Sequence, residues 1–288
     1  MTGKTDGIWR GDYNNSQSDG ETMQPLTQVP TSLTLSAEQF EKLYLSPMLH
    51  RQGNLAKSLG NPTPLGIGGF LITATPLACC LMSWRGAGGS GAAFSGVAIL
   101  FGGLLLVLSS ILEFILGNTF TTLCFGHLGA FLLAFGATMT PAFNAAAPYS
   151  PDGTDTLAGL HAPGFLNTFA FFFLFMGLLM TIYTVCATRT NLPFFLVLLG
   201  TAMTFILLAA AYWKLGEGNM VVGNRLTVGA GAALFSATIF GFYLLTAQAL
   251  DSVGFPVSLP VCDLGFLWTR ANKQRDPEMA NEANNKQE

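Results

Sequence analysis

Long stretches without a charged residue constrain this chain more than any other feature. Six of them separate successive Asp, Glu, Lys or Arg residues, and the shortest contains 24 residues. They are residues 58–84, 86–112, 114–151, 156–188, 190–213 and 226–250. A helix needs about 20 apolar residues to cross a bilayer. The sequence therefore predicts an all-α, polytopic membrane protein with six transmembrane helices per protomer.

The apolar segments predict where the six spans lie. Their expected ranges are 64–83, 93–112, 122–143, 165–187, 192–213 and 226–250. Pro76 removes a backbone donor inside the first span and should kink it. The segment from Pro141 to Pro163 is the longest connection, and its prolines prevent it from being helical throughout.

Polar segments flank this six-helix domain of residues 57–265. Residues 1–56 are rich in Asn, Gln, Ser, Thr, Asp and Gly, which is typical of a disordered tail. Within that tail, residues 36–49 suit a short amphipathic helix at the membrane surface. With the N-terminus in the cytoplasm, ten basic residues lie inside and three, Arg85, Lys214 and Arg225, lie outside. The positive-inside rule therefore places both termini, including the tail 266–288, in the cytoplasm.

A distinctive local pattern occurs where the N-terminal tail meets the first apolar stretch. Asn61 suits a helix N-cap, and Pro62 and Pro64 suit the first turn of a helix. Gly66 has no side chain, so another backbone or a ligand can approach it closely. The pattern indicates either a capped helix with no further role or a helix N-terminus whose free amides face a small anion.

No arrangement of catalytic residues accompanies the spans. The three histidines have no Ser, Asp or Cys placed beside them in a catalytic pattern, and there is no phosphate-binding Gly-rich loop. The five cysteines are scattered and lack metal-site spacing. A net charge of -3 is too small to indicate a nucleic-acid partner. We therefore expect a protein that is not an enzyme, with no catalytic residue, metal or cofactor.

Two ionisable residues are expected at or near membrane depth. Glu113 follows the second charge-free stretch, where it either exchanges protons or caps the amides of Asn118 and Thr119 at the next helix. His127 falls inside the third span, where it either titrates near physiological pH or hydrogen-bonds a neighbouring helix. The sequence leaves both alternatives open for both residues.

Two segments resemble signatures of the acetate uptake transporter family, which includes fungal acetate permeases and the bacterial succinate-acetate permease. Residues 61–67, NPTPLGI, resemble Asn-Pro-Ala-Pro-Leu-Gly-Leu. Residues 113–120, EFILGNTF, resemble Glu-(Phe/Tyr)-x-x-Gly-Asn-Thr-Phe, with Leu112 in place of a preceding Trp. Shorter matches at 189–195 and 259–261 follow in family order, so the resemblance covers roughly residues 61–265.

The resemblance implies transport of acetate and related short carboxylates, with succinate as a further substrate, through a pore within each protomer. Transport would be proton-coupled or channel-like, in a homohexamer of the plasma membrane. The implied substrate-binding residues are Asn61, Pro62, Pro64, Gly66, Asn118 and Thr119. The implied pore constriction consists of Phe70, Leu128 and Leu192. Because Leu128 replaces a Tyr that is typical of the family, either Leu128 supplies an apolar constriction or the gate is built differently.

Two other function classes remain open. One is a channel or exporter for another small solute such as ammonium, since some relatives are linked to ammonia release. The other is a membrane sensor without transport activity, for which the long polar tail is the support. The residues of the spans do not decide between these function classes.

Small residues at four-residue spacing predict where helices pack closely in lipid. One stripe runs along the last span, and a second runs along the third; they comprise Gly229, Ala233, Ala237 and Gly241, and Gly126, Ala130 and Ala134. For both stripes, packing inside the protomer is favoured over contact between subunits. Five phenylalanines of the fourth span, Phe169, Phe171, Phe172, Phe173 and Phe175, are expected to face lipid or another subunit.

Overall fold

The computed structural model describes residues 59–265, a helical bundle. Six helices in this range are long and apolar enough to cross a membrane. They are α1 (Thr63–Leu81), α2 (Gly91–Leu116), α3 (Thr119–Met139), α4 (Pro163–Ala187), α5 (Leu192–Gly216) and α6 (Met220–Ser252). The predicted fold class is confirmed. The predictions for residues 1–56, including the helix at 36–49, and for 266–288 lie outside the described residues.

Local chemistry explains where the helices begin and end. The Asn191 side chain accepts from the backbone N–H of Phe194 and caps α5, and Asn219 caps α6 through Val222. Pro163 occupies the first position of α4, where its missing donor costs nothing. The connection between α3 and α4 is broken into short turns, as its prolines predict, and contains one short α-helix, Thr156–Leu160.

The second span is less regular than its sequence indicates. Its first part is a 3-10 turn, and residues Ala98–Leu104 form a π-helical segment before regular α-helix resumes at Leu105. A Cβ on Gly102 in this segment would lie 2.8 Å from the Thr73 hydroxyl, so the widened turn packs tightly on α1. Hydrophobic length predicts a span but carries no information about such a local change of helix type.

The six helices form an arc in the order α3, α2, α1, α6, α5, α4, with each neighbouring pair in contact. Aromatic side chains join the two ends of the arc. Phe131 of α3 packs against Phe172 of α4 at 5.4 Å and against Phe205 of α5 at 4.7 Å between ring centroids. The helices therefore surround a common interior.

The arc consists of two halves of three helices, and the turn before the last helix of each half has the same geometry. Gly117 and Asn118 join α2 to α3, with φ of 84° at the glycine and φ, ψ of -85°, 71° at the asparagine. Gly218 and Asn219 join α5 to α6 with 82° and -83°, 75°. Because each half crosses the membrane an odd number of times, these two matching turns lie at opposite ends of the bundle.

The small-residue stripe of the last span packs inside the protomer, as the sequence favoured. A Cβ on Gly241 would lie 2.7 Å from the Leu71 side chain of α1. Ala237 is buried, and a Cβ on Gly200 of α5 would lie 2.8 Å from the Ala237 Cβ. The α6 backbone thus approaches α1 and α5 closely along this stripe.

We expect Ala237→Leu to destabilise the protomer without changing its oligomeric state, because the larger side chain has no space against Gly200. Overpacking of this kind costs about 1–3 kcal/mol. The melting temperature of purified protein should fall, while native electrophoresis should show an unchanged particle size. The matched control is Ala232→Leu, at an exposed position of the same helix. A smaller particle with an unchanged melting temperature would place the stripe between subunits instead.

Two other expectations about helix faces are corrected. Ala130 and Ala134 of α3 are exposed on the protomer surface, so this part of the stripe does not pack against a helix of its own protomer, whereas Gly126 lies against Ser110 of α2. Phe173 of α4 is fully buried among other aromatic rings, whereas Phe171 and Phe175 face outward as expected. In an all-apolar helix the hydrophobic pattern does not distinguish a face in lipid from a face in the core.

Candidate functional site

A cavity of about 380 Å³ lies inside the protomer between the two halves; we call it the main cavity. Helices α1, α3, α4, α5 and α6 contribute to its wall, which is mostly aromatic and aliphatic. Its aromatic lining consists of Phe70, Phe131, Phe135, Phe165, Phe173, Phe205 and Tyr212. The size is within the range of small-molecule sites in proteins.

A second cavity of about 20 Å³, the small cavity, lies beside the main one. Its wall includes Ile67 of α1, Phe125 of α3 and Phe194 of α5. Phe70 and Leu128 line both cavities and are the residues that the two described walls share. Two of the three residues predicted to form the constriction thus lie between the cavities.

The third residue of the predicted constriction, Leu192, lies elsewhere. It is the first residue of α5, its side chain is 37% exposed, and it lines neither cavity. Between one and two turns further along, Val197 and Leu198 face the small cavity. The short match at residues 189–195 fixed the start of α5 but not which of its residues face the interior, since Phe194 of the same turn lines the small cavity.

Glu113 is fully buried and connects three helices. One carboxyl oxygen accepts from the Thr63 hydroxyl of α1, and the other accepts from the Asn118 side-chain amide at 2.5 Å, at the start of α3. We call these three residues the Glu113 cluster. The Glu113 backbone carbonyl also accepts from the Asn118 N–H at 2.9 Å. The side chain therefore bonds the Asn118 amide group, not the backbone amides of Asn118 and Thr119 that sequence reasoning proposed.

The two matching turns allow Glu113 to be compared with the residue at the same place in the second half. Asn219 N–H donates to the Lys214 carbonyl at 2.9 Å, as Asn118 does to Glu113, so Lys214 is the equivalent of Glu113 in the second half. Lys214, however, is exposed and forms an ion pair with Glu217 at 2.7 Å. The buried carboxyl is therefore specific to the first half, although the backbone geometry is shared.

The residues of the first motif occupy the start of α1. The Asn61 side chain accepts from the Thr63 N–H at 3.0 Å and is exposed, whereas Pro62 is buried. Pro64 is half-buried, in the first turn. A Cβ on Gly66 would lie 2.7 Å from the Phe125 ring, so a neighbouring helix makes the close approach at this glycine.

His127 ties α3 to α4. Its Nδ1 lies 2.8 Å from the Leu123 carbonyl and 3.1 Å from the Tyr183 hydroxyl, while the imidazole is exposed on the protomer surface. This geometry matches the alternative in which His127 hydrogen-bonds a neighbouring helix. His127 lines neither cavity, and its titration stays a prediction.

Sequence reasoning missed most of the cavity wall. Thr201 and Thr204 of α5 face the main cavity together with the phenylalanines of α3 and α4. The only sequence signal for the threonines is their polar character and three-residue spacing within an apolar span. Threonine is common in transmembrane helices because it bonds its own backbone, so this signal does not single out a site.

Six membrane-length helices around an internal apolar cavity define a polytopic membrane protein of the transporter or channel class. The chain belongs to the GPR1/FUN34/yaaH family, whose sequence profile matches residues 45–265. The resemblance read from the two motifs is thereby confirmed.

Named relatives agree with this membership. Protein alcS of Aspergillus fumigatus is 61% identical over 255 residues, which cover 88% of this chain and 94% of alcS. The acetate transporter protein patA of Aspergillus clavatus is 33% identical over 219 residues, covering 75% of this chain and 83% of patA. The structure of the bacterial acetate channel SatP shares the fold with a TM-score of 0.57 at 21% identity, covering 70% of this chain and 99% of SatP.

Proposed function

We propose that this protein moves acetate and related short carboxylates across the plasma membrane, through a pore formed within each protomer by the two cavities. The observation that carries the proposal is the position of Phe70 and Leu128 between the main and small cavities. An apolar constriction of this kind limits flux by excluding water until a substrate passes. Membership in a family with acetate transporters supports the choice of substrate.

The further features of the proposal come from the resemblance and from charge distribution. The protein assembles as a homohexamer, and both termini face the cytoplasm. The start of α1 and the Glu113 cluster then lie at the cytoplasmic end of the bundle, where Asn61, Pro62, Pro64, Gly66, Asn118 and Thr119 form the substrate entrance. The outward-facing Ala130 and Ala134 of α3 are compatible with close contact between subunits.

Uptake of labelled acetate by the purified protein in liposomes tests the function. Acetate should accumulate faster than in protein-free liposomes, and methylammonium should not. Protein-dependent methylammonium movement without acetate movement would favour the ammonium channel. Movement of neither solute at any pH would favour the membrane sensor and contradict the proposal.

Asn61→Ala should reduce acetate uptake about tenfold in protein that still reaches the membrane. The change removes the acceptor of the Thr63 N–H and the exposed polar group at the entrance, and loss of a cap alone costs only about 1 kcal/mol. Cellular uptake, normalised to membrane-localised protein, measures the effect. Asn219→Ala is the matched control, because it removes the α6 cap at the opposite end of the bundle. Wild-type uptake by the Asn61 variant would remove this residue from the site.

A further inference from the structure

The buried polar groups of the main cavity have a common orientation. Thr201 donates its hydroxyl hydrogen to the Val197 carbonyl at 2.7 Å. Thr204 donates to the Gly200 carbonyl at 2.8 Å, with the Ala230 carbonyl of α6 at 3.3 Å. A hydroxyl has one hydrogen to donate and two lone pairs that accept. Because their hydrogens are already used, these threonines can offer only acceptors to a ligand in the cavity.

Thr227 of α6 shows the same arrangement at the cavity wall. Its hydroxyl donates to the Gly223 carbonyl at 3.0 Å. Three threonines on two helices therefore line the main cavity with their side-chain hydrogens bonded to the backbone, so the capacity left to each hydroxyl is to accept. Beyond the first turn of each helix the backbone adds no donors, since its N–H groups are used within the helix.

The described lining of the main cavity contains no Asp, Glu, Lys or Arg. Its titratable side chains are those of Cys80, His161 and Tyr212. His161, together with Ser83 and Asn224, belongs to the exposed residues at one end, so these donors lie at the mouth. Cys80 and Tyr212 carry the other side-chain hydrogens of the buried lining, and neither brings a positive charge that would compensate a carboxylate in an apolar site.

A carboxylate anion accepts hydrogen bonds and donates none, whereas an undissociated carboxylic acid donates one through its O–H. The threonine acceptors suit the acid and repel the lone pairs of the anion. We infer that the main cavity binds substrate as the uncharged, undissociated monocarboxylic acid, with its O–H directed to Thr201 and Thr204. This inference rests on the proposed function and defines the form of the substrate that it moves.

Binding of the undissociated acid would explain how a proton crosses the membrane together with the carboxylate. The proton enters on the ligand, so no titratable side chain of the protein has to carry it through the cavity. The apolar wall also suits an alkyl tail, and a cavity of about 380 Å³ is larger than acetic acid needs. Monocarboxylic acids with three or four carbons should therefore bind more tightly than acetic acid, because each buried CH₂ is favourable.

Binding to the purified full-length protein in detergent, measured by calorimetry, tests the inference with three probes of similar size. Butyrate exchanges between anion and acid, butyramide is uncharged and carries N–H donors, and propanesulfonate is an anion throughout. The apparent butyrate affinity should fall roughly tenfold per pH unit between pH 6 and 8, as the acid fraction of a carboxyl group does. Butyramide affinity should not change, and propanesulfonate should not bind.

Variants locate the effect within the cavity. The double substitution Thr201→Val with Thr204→Val preserves shape and removes both acceptors, so butyramide affinity should fall about tenfold or more. Thr184→Val is the matched control, because Thr184 is buried and bonds the Met180 carbonyl in the same way but lies outside the cavity lining. Equal losses in both variants would contradict a specific role for the cavity threonines.

The outcomes separate the inference from the proposed function. If acetate uptake in liposomes is protein-dependent but propanesulfonate binds as tightly as butyrate, the protein is a carboxylate transporter that accepts anions, and the inference is wrong. A parallel loss of butyrate and propanesulfonate affinity as pH rises would assign the pH effect to His161 and would also contradict it. If no carboxylate is transported and no probe binds, both the inference and the proposed function fail.

Discussion

Phe70→Ala is expected to increase the uptake of carboxylates larger than acetate by about tenfold, because loss of the Phe70 ring would join the main and small cavities. The Phe70 ring lies at the boundary of both, and its removal leaves Leu128 as the remaining shared residue. A wider and wetter constriction discriminates less by size. Uptake of labelled acetate, butyrate and succinate by the purified variant in liposomes measures the change in selectivity.

Phe175→Ala is the control for loss of an aromatic ring, since Phe175 is 62% exposed on the outer face of α4. It should leave both rate and selectivity unchanged. Removing a buried Phe costs about 3–5 kcal/mol, so Leu128→Ala serves as a second, smaller change at the same boundary. If both folded variants at the boundary keep the wild-type ratio of succinate to acetate uptake, Phe70 and Leu128 do not form the constriction.

Glu113→Leu is expected to produce the largest loss of stability among single substitutions at the motif residues. The half-buried Thr63 hydroxyl and Asn118 side-chain amide would both lose their acceptor, next to a fully buried side chain. Each buried polar group left without a partner costs about 1–3 kcal/mol. The melting temperature and the amount of folded protein in the membrane should both fall.

Glu113→Gln distinguishes a role of Glu113 in hydrogen bonding between helices from a role in proton exchange. Glutamine keeps the shape, and rotation of the Asn118 amide restores a donor and acceptor pair, so the variant should fold. Since Glu113 lines neither cavity, we expect acetate uptake by this variant to retain its dependence on external pH. Loss of that dependence in a stable Glu113→Gln protein would assign proton exchange to Glu113 and contradict transport of the proton on the acid itself.

The sequence alone determined the number of spans, their approximate ends and the family. Charge-free length is decisive because a backbone in lipid must satisfy its own polar groups, which a helix of sufficient length does. Asn61 and the prolines after it predicted the start of α1 to within two residues. The side-chain acceptor of Asn61 and the missing N–H groups of the prolines affect only the first turn of a helix, so they can be recognised from the local sequence. Phe70 and Leu128 were assigned to the constriction by resemblance; both line the two cavities, and their role as the constriction stays a prediction.

Only the tertiary structure decided which side of each helix faces the interior. Phe173 and Thr201 line the main cavity, Ala134 faces outward, and Leu192 lies away from both cavities. In a soluble protein the polar face of a helix marks the outside, but here lipid and core are both apolar. Hydrophobic periodicity then carries no information about orientation. The interior is set by the fit of small residues such as Gly241 against Leu71 and by hydrogen bonds between helices such as those of Glu113.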